Sequence, residues 1–184
     1  MVTFRPAQLS DSYAVAKGVT MALHLEEQEQ QLRWFEQICR RDDVLYSWRN
    51  ALLAEEDGQV VGLCLCYDGA DYHETRLRTF ALLADGKEGE EDNMDLAHFE
   101  DETGPGEYYI DSLAVWPEYR RRGIARQLLM RQIDAGRKLG VVKATLLVDP
   151  DNPSAQQLYR ECGFLHEYEV YAFGQIFWKW ELKY

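Results

Sequence analysis

One segment constrains the fold of this chain more than any other: residues 113–125, which read Leu-Ala-Val-Trp-Pro-Glu-Tyr-Arg-Arg-Arg-Gly-Ile-Ala. The aromatic and β-branched residues at 108–115 predict a strand, and Pro117 ends it. Periodic apolar positions after Gly123 predict a helix over 123–139. The first amides of a helix have no partner within it and carry partial positive charge. A strand that passes through a basic turn into a helix therefore indicates an α/β fold with an anion site at the turn.

The turn combines three consecutive arginines, Arg120, Arg121 and Arg122, with Gly123. A glycine at this place lets the backbone approach a bound anion closely, which suits a pyrophosphate. No Gly-Lys-Ser/Thr sequence follows, so the segment is not a Walker phosphate loop and lacks the residues that position magnesium. A basic turn before a helix is also common as a solvated cap, so this interpretation depends on a second motif.

That second motif occupies residues 152–164. Asn152 is a suitable N-cap, and Pro153 stands where the first helical position would be. The apolar side chains recur at helical spacing and Gly163 ends the helix. The positions on that stripe are Ala155, Leu158, Tyr159 and Cys162.

The rest of the chain predicts further strands and helices around these motifs. Helices are expected over 11–24 and around 32–39, and Asp57-Gly58 indicates a hairpin. The remaining predicted strands are 2–5, 50–55, 59–67, 141–148, 164–171 and 175–183. We interpret residues 1–184 as a single mixed α/β domain with an elaborated loop.

That loop is an acidic insert at about 68–106. The chain has 32 acidic and 20 basic residues, a net charge of −12, and the insert alone holds twelve acidic and three basic residues. Such a balance disfavours broad nucleic acid binding, which needs a basic surface. A helix is expected near 75–83, with a turn-rich stretch at 86–106. The carboxylates could face a cationic acceptor, form a solvated loop or make a homodimer contact.

Signals for location and metal binding are weak. The N-terminus has no apolar signal region and no stretch approaches a membrane span, so we expect a cytoplasmic protein without a membrane partner. The four cysteines form no CxxC pair, and Cys64 and Cys66 fit one buried face of a strand. No metal is expected, because no ligand spacing is visible among the histidines, His24, His73, His98 and His166.

The two motifs, L-x-V-x-P-x-x-R-x-x-G-x-A and N-x-x-A-x-x-L-Y-x-x-x-G-F, together resemble the GNAT N-acetyltransferase superfamily across residues 108–171. The resemblance implies the GNAT acyltransferase fold, an α/β structure whose central twisted sheet is mixed but mostly antiparallel, with helices on both faces. It also implies acetyl-CoA as co-substrate and no metal. Residues 68–106 have no counterpart in the minimal family plan.

The resemblance also implies roles for individual residues. The main chain at Leu113, Ala114 and Val115, where the family strand splays at a bulge, would bind the acetyl group and pantetheine arm. The pyrophosphate would lie on the turn formed by Arg120, Arg121, Arg122, Gly123, Ile124 and Ala125. Arg126 would reach a phosphate or simply lie on the surface, and Asn152 would touch the pantetheine region or only cap its helix.

Acetyl transfer to an amine needs a neutral amine, a stabilised oxyanion and a protonated leaving thiolate. Tyr159 matches the family tyrosine that donates to the departing sulfur, with core packing as the alternative. The Val115 amide is the candidate oxyanion donor.

The base is assigned from strand alternation, which predicts Tyr109, Asp111, Leu113 and Val115 on one face and Ser112 on the other. Some family members carry glutamate where Tyr109 stands, so that role does not transfer. Asp111 is the candidate base or ammonium ligand, with a purely structural carboxylate as the alternative. His73 and His98 are weaker acid/base candidates.

Taken together, these observations predict an acetyl-CoA-dependent N-acetyltransferase that works by direct attack in a ternary complex. The expected acceptor is a small primary amine, such as a polyamine or an aminoglycoside-like molecule. Alternatives are a protein N-terminus or lysine, or a non-catalytic acyl-CoA sensor. A homodimer is possible through the aromatic segment 173–180.

Overall fold

A computed structural model describes residues 1–85 and 100–184. Within them, seven strands form one sheet in the order β1-β2-β3-β4-β5-β7-β6, and only β4 and β5 pair in parallel. The predicted mixed, mostly antiparallel sheet is therefore confirmed. The strands are β1 Val2–Pro6, β2 Ala51–Glu56, β3 Gln59–Asp68, β4 Glu107–Val115, β5 Lys143–Val148, β6 Leu165–Ala172 and β7 Gln175–Lys183.

Five α-helices occur in the described part of the chain: α1 Ser12–Ala22, α2 Glu29–Cys39, α3 Tyr72–Asp85, α4 Ile124–Leu139 and α5 Pro153–Glu161. The predicted helix over 123–139 begins one residue later, because Gly123 adopts a left-handed φ of 76° as its N-cap. The helix expected near 75–83 in the acidic insert is confirmed as α3 and extends further at both ends. Residues 86–99 of the insert, which include His98, lie outside the described residues.

The helices cover both faces of the sheet, as predicted. On one face α4 packs against β3 and β4 and buries Leu128, Leu129 and Ile133. On the other face Val15 and Val19 of α1 pack with α2 and the central strands. No helix in the two described ranges is both long and apolar enough to cross a bilayer.

A wedge-shaped gap opens where β4 and β5 separate. Their parallel pairing ends at Ile110 and Leu146, although β5 continues beside β7 to Val148. Beyond that point β4 keeps only its pairing with β3, which reaches Val115 opposite Gly62. The end of β4 therefore presents one unpaired backbone edge to the gap.

A bulge in β4 overturns one prediction. Leu65 of β3 lies opposite Ser112, but the next residue, Cys66, lies opposite Ile110, so Asp111 is an extra residue in β4. One extra residue reverses the alternation of side chains beyond it. Tyr109 consequently packs in the core beneath α1 and Val115 in the core beneath α4. The prediction that the row 109–115 shares one face is therefore wrong.

The same bulge changes the place of Ser112. Alternation predicted its side chain on the face opposite to Asp111. In the structure the Ser112 Oγ donates a hydrogen bond of 2.7 Å to Asp111 Oδ1. Ser112 is buried and serves as a partner of Asp111, because the bulge turns neighbouring side chains towards each other.

Candidate active site

A cavity of about 360 Å³ occupies the gap between β4 and β5. On one side it is lined by the end of β4, the turn before α4 and the start of α5, and on the other by residues from the end of α1, the insert and the β6–β7 hairpin. Among the predicted site residues, the cavity brings together Asp111, Leu113, Ala114, Val115, Arg120, Asn152 and Tyr159. The remaining predicted residues, 121–126, lie in the turn and the first part of α4.

The backbone of β4 faces the cavity at Val115. The amide of Trp116 donates to Val61 of β3 over 2.9 Å. Because successive amides of a strand point to opposite sides, the Val115 N–H points away from β3 and towards the gap. The Val115 carbonyl, which points the same way, accepts the Arg120 Nε at 3.0 Å. An exposed amide is thus directed at the place where a carbonyl oxygen could lie.

The turn before α4 has the backbone shape of an anion site. Arg121 has a φ of 62° and Gly123 a φ of 76°, both left-handed. No side chain caps the first amides of the 16-residue helix α4. Left-handed residues beside right-handed ones direct neighbouring N–H groups into one concavity that attracts anions. The backbone therefore fits the predicted pyrophosphate position.

The arginines of this turn point in different directions. Arg122 forms a bidentate ion pair with Glu56 of the β2–β3 hairpin, with distances of 2.7 and 2.9 Å. Arg120 binds the Val115 carbonyl, and Arg121 is exposed. Arg126 is exposed on α4. The backbone amides are therefore the feature that the turn residues share.

Asn152 performs the capping role that its position predicts. Its Oδ1 accepts the amide of Ala155 at 3.1 Å, and Pro153 occupies the first helical position. Asn152 also lines the cavity, so the start of α5 is held at the edge of the site.

Tyr159 is packed in the core and lines the cavity. Its ring contacts Phe164 and Trp180, with centroids 6.0 and 6.5 Å away. The side chain is 9% exposed, and its hydroxyl has no hydrogen-bond partner within residues 1–85 and 100–184. Burial raises the pKa of Tyr159 well above its ordinary value, so the phenol stays protonated. The hydroxyl is therefore able to donate a hydrogen bond to a bound ligand.

Asp111 lines the cavity and is half-buried. Its Oδ2 accepts the Tyr67 hydroxyl at 2.6 Å, and its Oδ1 accepts Ser112. Burial and the nearby charge of Glu102 raise the pKa of Asp111 to about 6, against the opposing effect of the two hydrogen bonds. At neutral pH the carboxylate is mostly ionised, yet it is a stronger base than an ordinary aspartate.

The sequence does not single out Glu102, which is one of the twelve acids of the insert. Its side chain lines the cavity, accepting the Tyr72 hydroxyl at 2.8 Å and, on the other oxygen, the Tyr109 hydroxyl. Its backbone carbonyl accepts Lys179 Nζ at 2.9 Å. No local pattern distinguishes it from the neighbouring Glu100, because its position depends on partners far away in the chain.

The other described acids of the insert do not line the cavity. Asp101 binds the exposed His73, whose Nδ1 lies 3.0 Å from the carboxylate, so the structure does not bring His73 to the site. The predicted solvated loop therefore describes most of these acids, whereas Glu102 faces the cavity. The exposed acids are Asp68, Asp71, Glu74, Asp85 and Glu100. No group of three potential metal ligands occurs in the described ranges.

Comparison with known proteins identifies the family of this chain. A family model described as the acetyltransferase (GNAT) family matches residues 20–164. N-alpha-acetyltransferase RimI of Mycobacterium tuberculosis is 45% identical over 62 residues, which are 34% of this chain and 37% of that protein. N-alpha-acetyltransferase 30 of Schizosaccharomyces pombe is 32% identical over 65 residues, 35% of this chain and 43% of that protein. The similarity thus spans well under half of each curated relative.

Solved structures resemble the whole chain. The crystal structure of an N-acetyltransferase from Staphylococcus aureus Mu50 superposes with a TM-score of 0.79, covering 98% of this chain and 100% of that one. The sequence identity is 23%, so this likeness concerns the fold alone.

Proposed function

Because this chain belongs to the GNAT acetyltransferase family, we propose that it transfers the acetyl group of acetyl-CoA to a primary amine. The observation that carries this proposal is that one cavity joins a carboxylate, an inward backbone amide and a phenol, at Asp111, Val115 and Tyr159. These are the groups that aminolysis of a thioester needs. We favour a small amine, such as a polyamine or an aminoglycoside-like molecule, because the acceptor side of the cavity is acidic.

The fit of acetyl-CoA rests on backbone features of this chain. The concavity of residues 120–125 and the uncapped start of α4 would hold the pyrophosphate. The unpaired edge of β4 at 113–115 would hydrogen-bond the pantetheine arm, with Asn152 beside it. When bound, the co-substrate supplies an activated acetyl thioester. The Val115 amide is placed to stabilise negative charge on the thioester oxygen.

Two side chains move the protons. An aliphatic ammonium has a pKa of about 10.4, so it must lose a proton before it attacks. Asp111 accepts that proton directly or through water, and the amine nitrogen forms the new C–N bond. As the C–S bond breaks, Tyr159 gives its proton to the sulfur, which leaves as a thiol. After the attack the nitrogen carries one proton too many for an amide and releases it through water, which replaces the proton that Tyr159 gave up. Asp111 returns its own proton to the solvent and is again a carboxylate.

A second candidate function is acetylation of protein N-termini. It is favoured by the printed names of the two curated relatives, both N-alpha-acetyltransferases. The same Asp111 and Tyr159 chemistry would serve an α-amine, so the two candidates differ only in the acceptor.

A thiol-release assay with acetyl-CoA separates these possibilities. The acceptor panel contains monoamines, diamines, an aminoglycoside, and peptides with a free N-terminus or an internal lysine. Turnover with the small amines supports the first proposal, and turnover limited to N-terminal peptides supports the second. Acetyl-CoA binding without turnover of any acceptor contradicts both and indicates a sensor.

A further inference from the structure

The acidic insert contributes a carboxylate to the acceptor side of the cavity. We propose that Glu102 and Asp111 together recognise an acceptor with two ammonium groups, such as an α,ω-diamine or a polyamine. Asp111 receives the amine that reacts, and Glu102 binds the second, unreactive ammonium. This inference rests on the proposed N-acetyltransferase function and names its substrate class.

The Asp111 and Glu102 carboxylates have no cationic partner in the described ranges. All the side-chain hydrogen bonds to the Asp111 and Glu102 carboxylates come from neutral hydroxyls, and within residues 1–85 and 100–184 neither carboxylate forms an ion pair. Elsewhere the fold does pair its half-buried acids: Glu107 lies 3.1 Å from Lys143 and 2.8 Å from Lys179. Carboxylates removed from bulk water favour a cationic partner. Two such charges facing one cavity favour a dication.

Tyrosine side chains surround the two carboxylates. Tyr67, Tyr72 and Tyr109 supply three hydroxyls to the two carboxylates, and their ring centroids lie 5.7 to 6.2 Å apart. Of these three residues only Tyr109 lines the cavity, whereas Tyr67 and Tyr72 lie behind it in the core and hold the carboxylates through their hydroxyls. Aromatic rings attract ammonium groups, most strongly away from bulk water. A cavity of about 360 Å³ accommodates a small aliphatic amine.

Tyr159 supplies evidence for a bound ligand that does not depend on the acids. Tyr159 lines the same cavity and is only 9% exposed, and its hydroxyl has no partner in the described ranges. Buried polar groups normally have hydrogen-bond partners, so this one points to a ligand that completes the site. The reacting end of the acceptor therefore belongs between Tyr159 and Asp111, which leaves Glu102 for the other end.

Glu102 is held in place from several directions. Lys179 Nζ donates to the Glu102 carbonyl at 2.9 Å and to Glu107 at 2.8 Å. Arg76 donates to the Glu100 carbonyl at 3.0 Å. A side chain at Gly69 would lie 2.4 Å from the Gly104 carbonyl, so this segment sits tightly against the end of β3. A carboxylate on so well anchored a segment can distinguish acceptors by charge.

The test compares acceptors of equal length that differ by one charge: 1-aminobutane and 1,4-diaminobutane. We expect the wild-type kcat/KM for the diamine to exceed that for the monoamine about tenfold or more, as one charge-assisted contact would give. Glu102→Gln should bring this ratio close to one, mainly by raising KM for the diamine. Glu102→Asp, which keeps the charge, should restore part of the preference.

Glu100→Gln is the matched control, because it removes the same charge from an exposed side chain of the same segment. It should leave the ratio unchanged, and thermal unfolding should show all variants folded. Equal turnover of both amines by the wild type, or a preference that survives Glu102→Gln, overturns the inference but not the acetyltransferase. Turnover of N-terminal peptides alone overturns it too. Loss of all turnover with any acceptor is the distinct failure of the proposed function.

Discussion

The two sides of the cavity are built in different ways. The proposed cofactor side consists mainly of backbone, with the amides of the turn 120–123, the start of α4 and the open edge of β4. The proposed acceptor side consists of side chains, with Asp111 and Glu102 held by a cluster of tyrosines. The first side arises within one continuous stretch of the chain, whereas the second joins β3, β4, α3 and the end of the insert.

This difference affects how each side responds to mutation. A site made of amides survives changes of most side chains, provided that the backbone keeps its shape. A site made of carboxylates and hydroxyls depends on each of them, because removal of one leaves its partners unsatisfied. Binding of acetyl-CoA should therefore tolerate substitution better than acceptor binding and proton transfer do.

The largest expected effect comes from Tyr159→Phe. Removing the acid should lower kcat by about 10²-fold or more, while KM for acetyl-CoA changes little, because a general acid acts in the transition state. Steady-state kinetics at saturating acetyl-CoA measure this. Tyr168→Phe removes a hydroxyl from an exposed tyrosine of β6 and should be silent. A Tyr159→Phe enzyme with full kcat means that this tyrosine only packs in the core.

Asp111→Asn should lower kcat/KM for the acceptor by about 10²-fold. Because the pKa of Asp111 is raised to about 6, the wild-type profile should fall as pH drops through 6, where the base becomes protonated. The variant should lack this limb. Ser112→Ala should move the limb to higher pH, since the lost hydrogen bond had lowered the pKa of Asp111. Asp134→Asn, on the exposed face of α4, is the control. A limb retained in Asp111→Asn assigns the base elsewhere.

A smaller effect separates backbone shape from stability. Gly123 and Gly140 both have left-handed φ, 76° and 79°, with open space where a side chain would begin. Alanine at either position should cost about 1–2 kcal/mol of unfolding free energy. Only Gly123→Ala should also raise KM for acetyl-CoA, because it distorts the anion concavity. Denaturant unfolding and kinetics measure the two effects, and equal KM values for both variants contradict the proposed pyrophosphate position.

The smallest expected effect concerns the arginines. Arg122 is held by Glu56, so it can help to bind an anion only after leaving that partner. Glu56→Gln should therefore lower KM for acetyl-CoA by about twofold to threefold, as suits an exposed ion pair. Glu55→Gln, which removes a neighbouring carboxylate that binds Arg5 of β1 instead, should not. A KM that does not fall in Glu56→Gln leaves Arg122 as a support of the β2–β3 hairpin.

The sequence predicted the backbone elements of the proposed cofactor side well, because their signals are local. Strand, turn, glycine and helix follow one another within residues 108–125, and the cap at Asn152 needs only its neighbour Ala155. The Asp57-Gly58 hairpin is confirmed for the same reason, with φ values of 51° and 78°. Each of these features is decided by interactions within a few residues.

The acceptor side could be predicted only in part. Alternation drew attention to Asp111, but the bulge that gives Asp111 its place results from the register between β3 and β4. The partner of Arg122 is 66 residues away at Glu56. Such pairings depend on how the sheet assembles, and no pattern along the chain encodes them.

The sequence by itself determined the family fold, the glycine-containing turn before α4 and the tyrosine of α5, because short-range backbone preferences and helix caps act before tertiary contacts form. The tertiary structure alone decided which acid of the insert enters the cavity. Glu100, Asp101 and Glu102 are neighbouring acids, yet only the last meets hydroxyls from both α3 and β4. The physical reason is that burial of a carboxylate depends on donors supplied from distant segments, and these come together only in the folded sheet.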